Sequence, residues 1–184
     1  PYDGRTVMIS GAATSTERVD GFTLPHAEIA PNGETISGSG VEIPSGFPTI
    51  ANNVIVGNRA NRGGGIFVES GWPLIVGNTI ADNSATSGGG IAMFFGSTLV
   101  PPRIFGNVIR GNRATSGGGI DLAMASPDII NNAIIGNIAS YSGGGIVTSR
   151  GRAKIISNTI VFNRAPRGGA LVVGAGSAII GNCV

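Results

Sequence analysis

A block of about 25 residues recurs along the chain, and this repeat constrains the fold more than any single residue does. Each copy reads roughly Pro-x-Ile-x-x-Asn-x-Ile-x-Gly-Asn-x-Ala, followed by a glycine cluster and then an isoleucine. The clearest copies begin at Pro48, Pro73, Pro102, Pro127, Ala153 and Ser177. A repeat of this length predicts a solenoid, in which each copy buries its apolar face against the neighbouring copies.

Two asparagines recur at fixed positions of the repeat, and each marks a predicted bend. The first column contains Asn53, Asn78, Asn107, Asn132, Asn158 and Asn182, and the second contains Asn58, Asn83, Asn112, Asn137 and Asn163. The residue before each is mostly Gly, Asn or Asp, residue types that tolerate a left-handed backbone, and Phe162 is an exception. Stacked asparagines bond to one another and to backbone, so we interpret both columns as structural ladders rather than ligand sites.

The glycine clusters supply a third predicted bend, which leaves three short strands in each copy. Between bends the apolar residues alternate, as in Ile66 and Val68, which is the period of a strand with one inward face. Each copy is therefore predicted to form one triangular coil of about 25 residues. Equivalent strands of successive coils pair in parallel, so the pattern predicts an all-β solenoid with three parallel sheets around an aliphatic core.

These repeats resemble the right-handed parallel β-helix repeat proteins, which have the pectin-lyase-like fold. The resemblance rests on segments such as 73–78, Pro-Leu-Ile-Val-Gly-Asn, and 114–120, Ala-Thr-Ser-Gly-Gly-Gly-Ile. Segment 168–171, Gly-Gly-Ala-Leu, is also similar to the Gly-Gly-Ala-Ile motif of bacterial outer-membrane repeat proteins. The resemblance to this family implies one β-helix domain over 1–184, with irregular first coils in 1–40 and regular coils in 41–184. The family includes enzymes, adhesins and proteins of unknown role, so no single activity is implied.

The composition argues against several classes of partner. Charged residues are 12% of the chain against a typical value of about 25%, and the formal net charge is only +2, so we expect no nucleic-acid partner. No apolar run approaches the roughly 18 residues that a membrane-spanning helix needs. The single cysteine, Cys183, excludes a disulfide framework and a cysteine-based metal site. The chain stops in mid-repeat, so we expect either further protein after it or another molecule that covers this end.

The acidic residues do not form a predicted catalytic cluster. Glu42 and Asp121 share a predicted outward column but lie three coils apart, about 14 Å by strand spacing, which is too far for a pair of glycosidase carboxylates. His26, the one histidine, is interpreted as a surface or packing residue. Ser87, Ser116 and Ser142 precede glycine clusters and are interpreted as turn residues rather than nucleophiles. We therefore predict no catalytic residue, no metal site and no cofactor.

Arginines recur after the second asparagine on alternating coils. Arg59, Arg113 and Arg164 occupy this position, with Ser84 and Ile138 between them. A ridge of charges about 10 Å apart is suited to binding an acidic polysaccharide or another anionic surface. The alternative is a solvated edge that keeps strands from pairing laterally.

Several predicted outward columns are aliphatic where a solvated sheet is expected to be polar. They contain Ala51, Val76, Phe105, Ile130, Ile156 and Ile180; Val54, Thr79, Val108, Ala133 and Thr159; and Val56, Ala81, Arg110, Ile135 and Val161. Together they predict a continuous apolar surface of the kind that marks an interface. One alternative is that the inward and outward positions are assigned one residue out of step near the bends. The other is that a further segment covers this face.

One copy carries an insertion, which includes Phe94, Phe95 and Leu99 and follows the corner at Trp72. Insertions in solenoids become loops on one face, often the binding face, so we predict that these three apolar residues form a contact. The alternative is a loop folded back over its own sheet.

These features favour an extracellular or cell-surface structural protein that forms homo-oligomers or filaments through apolar faces and open ends. The alternative hypothesis is a carbohydrate-binding or carbohydrate-active domain that uses the arginines and the insertion loop. A third hypothesis is that the chain is a spacer segment of a larger adhesin. Cys183 is predicted to be either an outward residue of the last coil or an intermolecular link.

Overall fold

The computed structural model describes residues 6–9, 17–25, 40–95 and 100–184, which contain twenty-two short strands. His26 and Leu99 lie outside the described residues. Within these ranges no helix is present that has the length and apolar character needed to cross a membrane. The strands, numbered β1 to β22 in chain order, form three main parallel sheets, which confirms the predicted fold class.

Each main sheet contains one strand from each coil. Sheet A contains β1 (Val7–Met8), β4 (Val41–Ile43), β7 (Ile66–Val68), β10 (Ile91–Met93), β14 (Ile120–Ala123), β18 (Ile146–Ser149) and β21 (Leu171–Val173). Sheet B contains β2 (Arg18–Asp20), β5 (Thr49–Ala51), β8 (Leu74–Val76), β11 (Arg103–Phe105), β15 (Asp128–Ile130), β19 (Arg152–Ile156) and β22 (Ser177–Gly181). Sheet C contains β3 (Thr23–Pro25), β6 (Val54–Val56), β9 (Thr79–Ala81), β12 (Val108–Arg110), β16 (Ala133–Ile135) and β20 (Thr159–Val161). The first three strands pair in register with the coil that follows them.

A fourth, shorter ladder lies between sheet C and the glycine clusters and was not predicted. Strands β13 (Arg113–Ser116) and β17 (Ile138–Ser142) pair there in parallel, and isolated bridges extend this ladder to the coils on either side. The chain therefore follows sheet B, sheet C, the short ladder and sheet A in each turn. A fourth corner returns the chain from sheet A to sheet B.

The predicted bends have the left-handed backbone that their residue types favour. At the second bend, Gly57, Asp82, Gly111 and Gly136 have φ between 55° and 70°. Phe162 has φ 58° at the same position, so the one large residue in this column adopts the conformation of the small ones. The repeat geometry thus overrides the local cost of a left-handed aromatic residue.

The interior is built from inward columns of aliphatic side chains. In sheets B and C each strand of the middle coils has a completely buried inward isoleucine: Ile50, Ile75, Ile104, Ile129 and Ile155, and Ile55, Ile80, Ile109 and Ile134. Burial of each side chain contributes about 1.5–3 kcal/mol, so the continuous aliphatic core is the main stabilising term.

Both asparagine columns form the predicted ladders beside this core. Except in the last asparagine of each ladder, the Nδ2 atom donates to the Oδ1 atom of the next asparagine at 2.9–3.0 Å, and it also donates to a backbone carbonyl of the preceding coil. The Oδ1 atom also accepts the backbone N–H of the asparagine in the preceding coil. These bonds satisfy polar groups at two corners, and they connect the coils along the axis.

The last copy is shifted by one residue from the predicted alignment, and two predictions there were wrong. Ile180 pairs with the inward Ile155 rather than with Ile156. Cys183, not Asn182, occupies the ladder position, with its Sγ atom 3.4 Å from the carbonyls of Ile155 and Gly181. Cys183 is half-buried there, so it is not an outward residue.

The outward column of sheet A is covered by the chain itself. The first glycine of each cluster folds back over the residue four positions later: a Cβ added at Gly63 would meet Phe67, and one added at Gly88 would meet Ala92. Phe67 and Ala92 are almost fully buried although they point away from the core. Glu42 and Asp121 share this column as predicted, but the column is not an open surface.

Candidate functional site

Three exposed arginines form one column on the short ladder. The backbone of Ser84 forms parallel β-bridges with Arg59 on one side and Arg113 on the other. Ile138 pairs in parallel with Arg113 and Arg164 in the same way. The guanidinium-bearing residues are therefore two coils apart, about 10 Å by strand spacing. In the part of the chain that the structure describes, none of these three arginines makes an ion pair. We call this column the arginine ridge; its use as a binding site stays a prediction.

A second pair of arginines lies at the other end of the same short segment, beside aromatic rings. The Arg62 guanidinium is 4.2 Å from the centre of the Phe94 ring. The Arg167 guanidinium is 5.7 Å from the Tyr141 ring and donates to the Tyr141 hydroxyl at 3.1 Å. These contacts hold both side chains against the ladder, so they differ from the unpaired arginines of the ridge.

The two described residues of the predicted loop contact have different environments. Phe94 packs edge-on against Phe67, with ring centres 5.8 Å apart, and lies under Arg62. Phe95 leaves 49% of its surface exposed. Trp72 stacks on Phe47 at 4.6 Å in the preceding corner. Phe94 is thus held by contacts within the chain, whereas Phe95 is half exposed; the use of either residue as a contact stays a prediction.

Most members of the predicted outward columns do lie on the outside of sheets B and C. Val54, Phe105 and Val108 are 41%, 37% and 37% exposed. Ala51 and Ala81 are buried because their side chains are short and their neighbours cover them. We define the apolar strip as the outward residues Val54, Val56, Val76, Phe105, Val108, Ile130, Ala133, Ile135, Ile156 and Val161.

The comparison with known families agrees with this geometry. A family model for the right-handed β-helix region matches residues 17–184. The chain belongs to the right-handed β-helix family. A search of curated proteins and a search of solved structures gave no match. The right-handed β-helix supports a repeat domain with a structural or a carbohydrate-related role, and membership alone specifies no reaction.

The Asp121 carboxyl lies in the covered column of sheet A, beside two serines. Burial raises the pKa of the Asp121 carboxyl above its ordinary value of 3.8, and hydrogen bonds with Ser116 and Ser87 oppose this shift. The two serines thus favour the charged form of a carboxyl group whose burial disfavours it. No three His, Cys, Asp or Glu side chains in 6–9, 17–25, 40–95 and 100–184 are placed to hold a metal ion.

Two aromatic contacts of the β-helix were also not predicted from the sequence. The stack of Phe47 on Trp72 had a usable signal, because each residue directly precedes a proline that begins a copy. The pairing of Tyr141 with Arg167 had no such signal, because β17 contains one residue more than the equivalent segments and this shifts its register.

Proposed function

We propose that this β-helix is a structural module that associates side by side with a second copy of itself through the apolar strip. The observation that carries the proposal is the exposure of Phe105 and Val108 at adjacent positions of sheets B and C. Both residues belong to the middle coil, so their exposure does not result from the open ends of the solenoid. An exposed aliphatic and aromatic strip of this kind is typical of an interaction surface.

The strip extends along the axis of the solenoid. Five coils contribute to it, which corresponds to a length of about 24 Å and a width of about 17 Å. The resulting area of roughly 400 Å² is about half of the ~800 Å² that each partner contributes to a standard interface. We therefore expect a weak complex that dissociates on dilution.

A second copy fits the strip because its surface is linear and repetitive. Two rods in antiparallel orientation place the same columns against each other, which is the arrangement of a two-fold symmetric dimer. Charges of both signs lie within or beside the strip: Arg110 is 3.8 Å from Asp82, and Lys154 is 3.6 Å from Asp128. Since these charges are already paired within the chain, close approach of another copy does not concentrate charge of one sign.

Replacing Phe105 and Val108 together with threonine is expected to abolish association. Threonine keeps the β-propensity of both positions but removes most of the apolar surface. Sedimentation velocity over about 1 to 100 µM, the range in which a weak dimer forms and dissociates, measures the effect. The native protein is expected to shift from monomer to dimer as its concentration rises, and the double variant to stay monomeric.

Tyr141→Thr is the matched control, because Tyr141 is 57% exposed but lies outside the strip. This variant is expected to associate like the native protein. A native chain that stays monomeric over the whole range, or a double variant that still dimerises, would rule out the apolar strip as the contact.

A second candidate function is favoured by the arginine ridge, namely binding of an acidic polysaccharide. Arg59, Arg113 and Arg164 are exposed, aligned along the axis and free of ion pairs with other described residues. A linear chain of carboxylates along the axis would meet one guanidinium about every 10 Å.

Binding of alginate, a carboxylated polysaccharide, tests the ridge. We expect Arg113→Gln to weaken binding about threefold, as for one exposed charge pair, and we expect added salt to weaken binding by the native protein. Arg18→Gln is the control, because Arg18 is paired with Asp20 at 2.7 Å away from the ridge. Equal binding by the native protein and both variants would exclude the ridge as the site.

A further inference from the structure

A surface cavity of about 490 Å³ lies at the corner between sheets A and B. Three successive turns of the chain line it, with Met124 and Ser126 from the first, Arg150, Gly151 and Arg152 from the second, and Ala175, Gly176 and Ser177 from the third. Because three coils contribute, the cavity extends along the side of the solenoid. It lies apart from both the apolar strip and the arginine ridge.

The charged residues of this cavity are two arginines. Arg150 and Arg152 are both exposed, and neither makes an ion pair with another residue that the structure describes. No acidic side chain is among the lining residues. The nearby Lys154 has Asp128 as its partner at 3.6 Å, so the uncompensated charge is concentrated on the two guanidinium groups.

Neutral donors complete the lining. The Ser126 Oγ atom accepts the backbone N–H of Arg152 at 3.0 Å, which leaves the hydroxyl proton of Ser126 free to donate elsewhere. Ser177 adds a second hydroxyl at the far side of the cavity. Guanidinium groups with hydroxyl donors beside them are the set that binds oxyanions through charge-assisted hydrogen bonds.

The backbone at this corner carries a conformational cost. Arg150 has φ 58° and its neighbour in the previous coil, Met124, has φ 60°. Neither residue type favours the left-handed region, in which Gly or Asn is the usual choice. Backbone strain of this kind concentrates at functional sites, where stability is given up for the position of a side chain.

The geometry points to an oxyanion-binding site in this corner cavity, in which Arg150 and Arg152 bind a single sulfate, phosphate or carboxylate group of a ligand. The guanidinium groups supply charge and paired donors, and Ser126 and Ser177 supply further hydrogen bonds. The cavity is open and a lone ion has few atoms, so we expect a dissociation constant on the order of 1 mM for inorganic sulfate.

Titration of the purified chain with sodium sulfate, phosphate or acetate at constant ionic strength tests the site. The amide resonances of Gly151 and Gly176 report binding in ¹H–¹⁵N spectra, since both residues line the cavity. Sulfate, phosphate and acetate represent the three sources of the oxyanion, and the ion with the lowest dissociation constant identifies the preferred group. We expect saturable shifts that are confined to residues of the three turns.

Two variants separate a binding role from a structural one. Arg152→Gln is expected to weaken binding about tenfold, as for loss of a charge-assisted hydrogen-bonding pair. Arg150→Asn is expected to weaken it similarly while leaving the urea midpoint unchanged or higher, because asparagine tolerates the left-handed backbone. Loss of binding without loss of stability is the result that a purely structural arginine would not produce.

Arg18→Gln removes the same charge from the chain and is expected to bind like the native protein. The proposal is overturned if the native protein shows no saturable shifts at Gly151 and Gly176. It is also overturned if Arg150→Asn and Arg152→Gln bind as tightly as the native chain. Dimerisation through the apolar strip is measured separately, so failure of one proposal does not affect the other.

Discussion

Replacing Asn112 with alanine is expected to lower the free energy of unfolding by about 4 kcal/mol. The side chain of Asn112 is completely buried and makes four hydrogen bonds. Its Oδ1 atom accepts from the N–H and the Nδ2 of Asn83, both at 3.0 Å, and its Nδ2 atom donates to Ile80 and to Asn137. Alanine leaves the buried backbone N–H of Asn83 and one N–H of its Nδ2 without their acceptor and removes the bonds to Ile80 and Asn137, and each buried group left unsatisfied costs about 1–3 kcal/mol.

Urea unfolding of the native chain and the variant measures this loss, and hydrogen exchange locates it. The backbone amide of Asn83 donates to the side chain of Asn112, so its exchange is expected to accelerate more than that of amides in distant coils. Asn61→Ala is the matched control, because the Asn61 side chain lies outside both ladders. Its expected change is within about 0.5 kcal/mol. Equal losses for Asn61 and Asn112 would show that the ladder does not stabilise the solenoid.

Replacing Gly118 with alanine is expected to cost about 3 kcal/mol, because an added Cβ has no space. It would lie 2.6 Å from the carbonyl oxygen of Gly144 and 2.7 Å from the carbonyl carbon and oxygen of Ile138. Both neighbours are backbone atoms of the next coil, so no side chain can rotate away to relieve the contact. The two coils must separate locally, which lengthens the parallel hydrogen bonds between them.

Gly106→Ala separates this steric cost from a conformational one. Nothing lies within 4 Å of a Cβ at Gly106, but its φ of 63° is left-handed, so we expect a loss of about 1 kcal/mol. Gly181→Ala has neither restriction and is expected to be neutral. Thermal and urea unfolding of the three variants measure the order of stability, with Gly118→Ala least stable. A Gly118 variant as stable as the Gly106 variant would mean that the coils separate at little cost.

The solenoid could be predicted because its determinants are local and are repeated. Isoleucines such as Ile75 and Ile104 recur at fixed distances from an asparagine, and any closed packing must bury them in the same way in each coil. The ladders follow for the same reason, since Asn107 and Asn132 have the same neighbours one coil apart. Each copy repeats the evidence of the others, so one irregular copy does not change the prediction.

The errors occurred where the repeat is broken. The prediction placed Asn182 in the first asparagine column because the copies were lined up without a shift, yet Cys183 is the residue that reaches the carbonyl of Ile155. A slip of one residue exchanges the two faces of a strand, so the same shift turned Ile180 from an outward into an inward position. Only the pairing of β19 with β22 resolves this register.

The sequence by itself determined most of the architecture: the repeat length, the strand period, three of the four bends and the two asparagine ladders follow from residue types at fixed spacing. The tertiary structure alone decided which outward surfaces are open. The column of Phe67 and Asp121 is covered by the glycine turns, whereas Phe105 and Val108 remain exposed, although all four positions point away from the core. It also brought Arg150 and Arg152 to one cavity with Ser126 and Ser177. The reason is physical: strand period specifies the direction of a side chain, but its exposure depends on backbone from other turns.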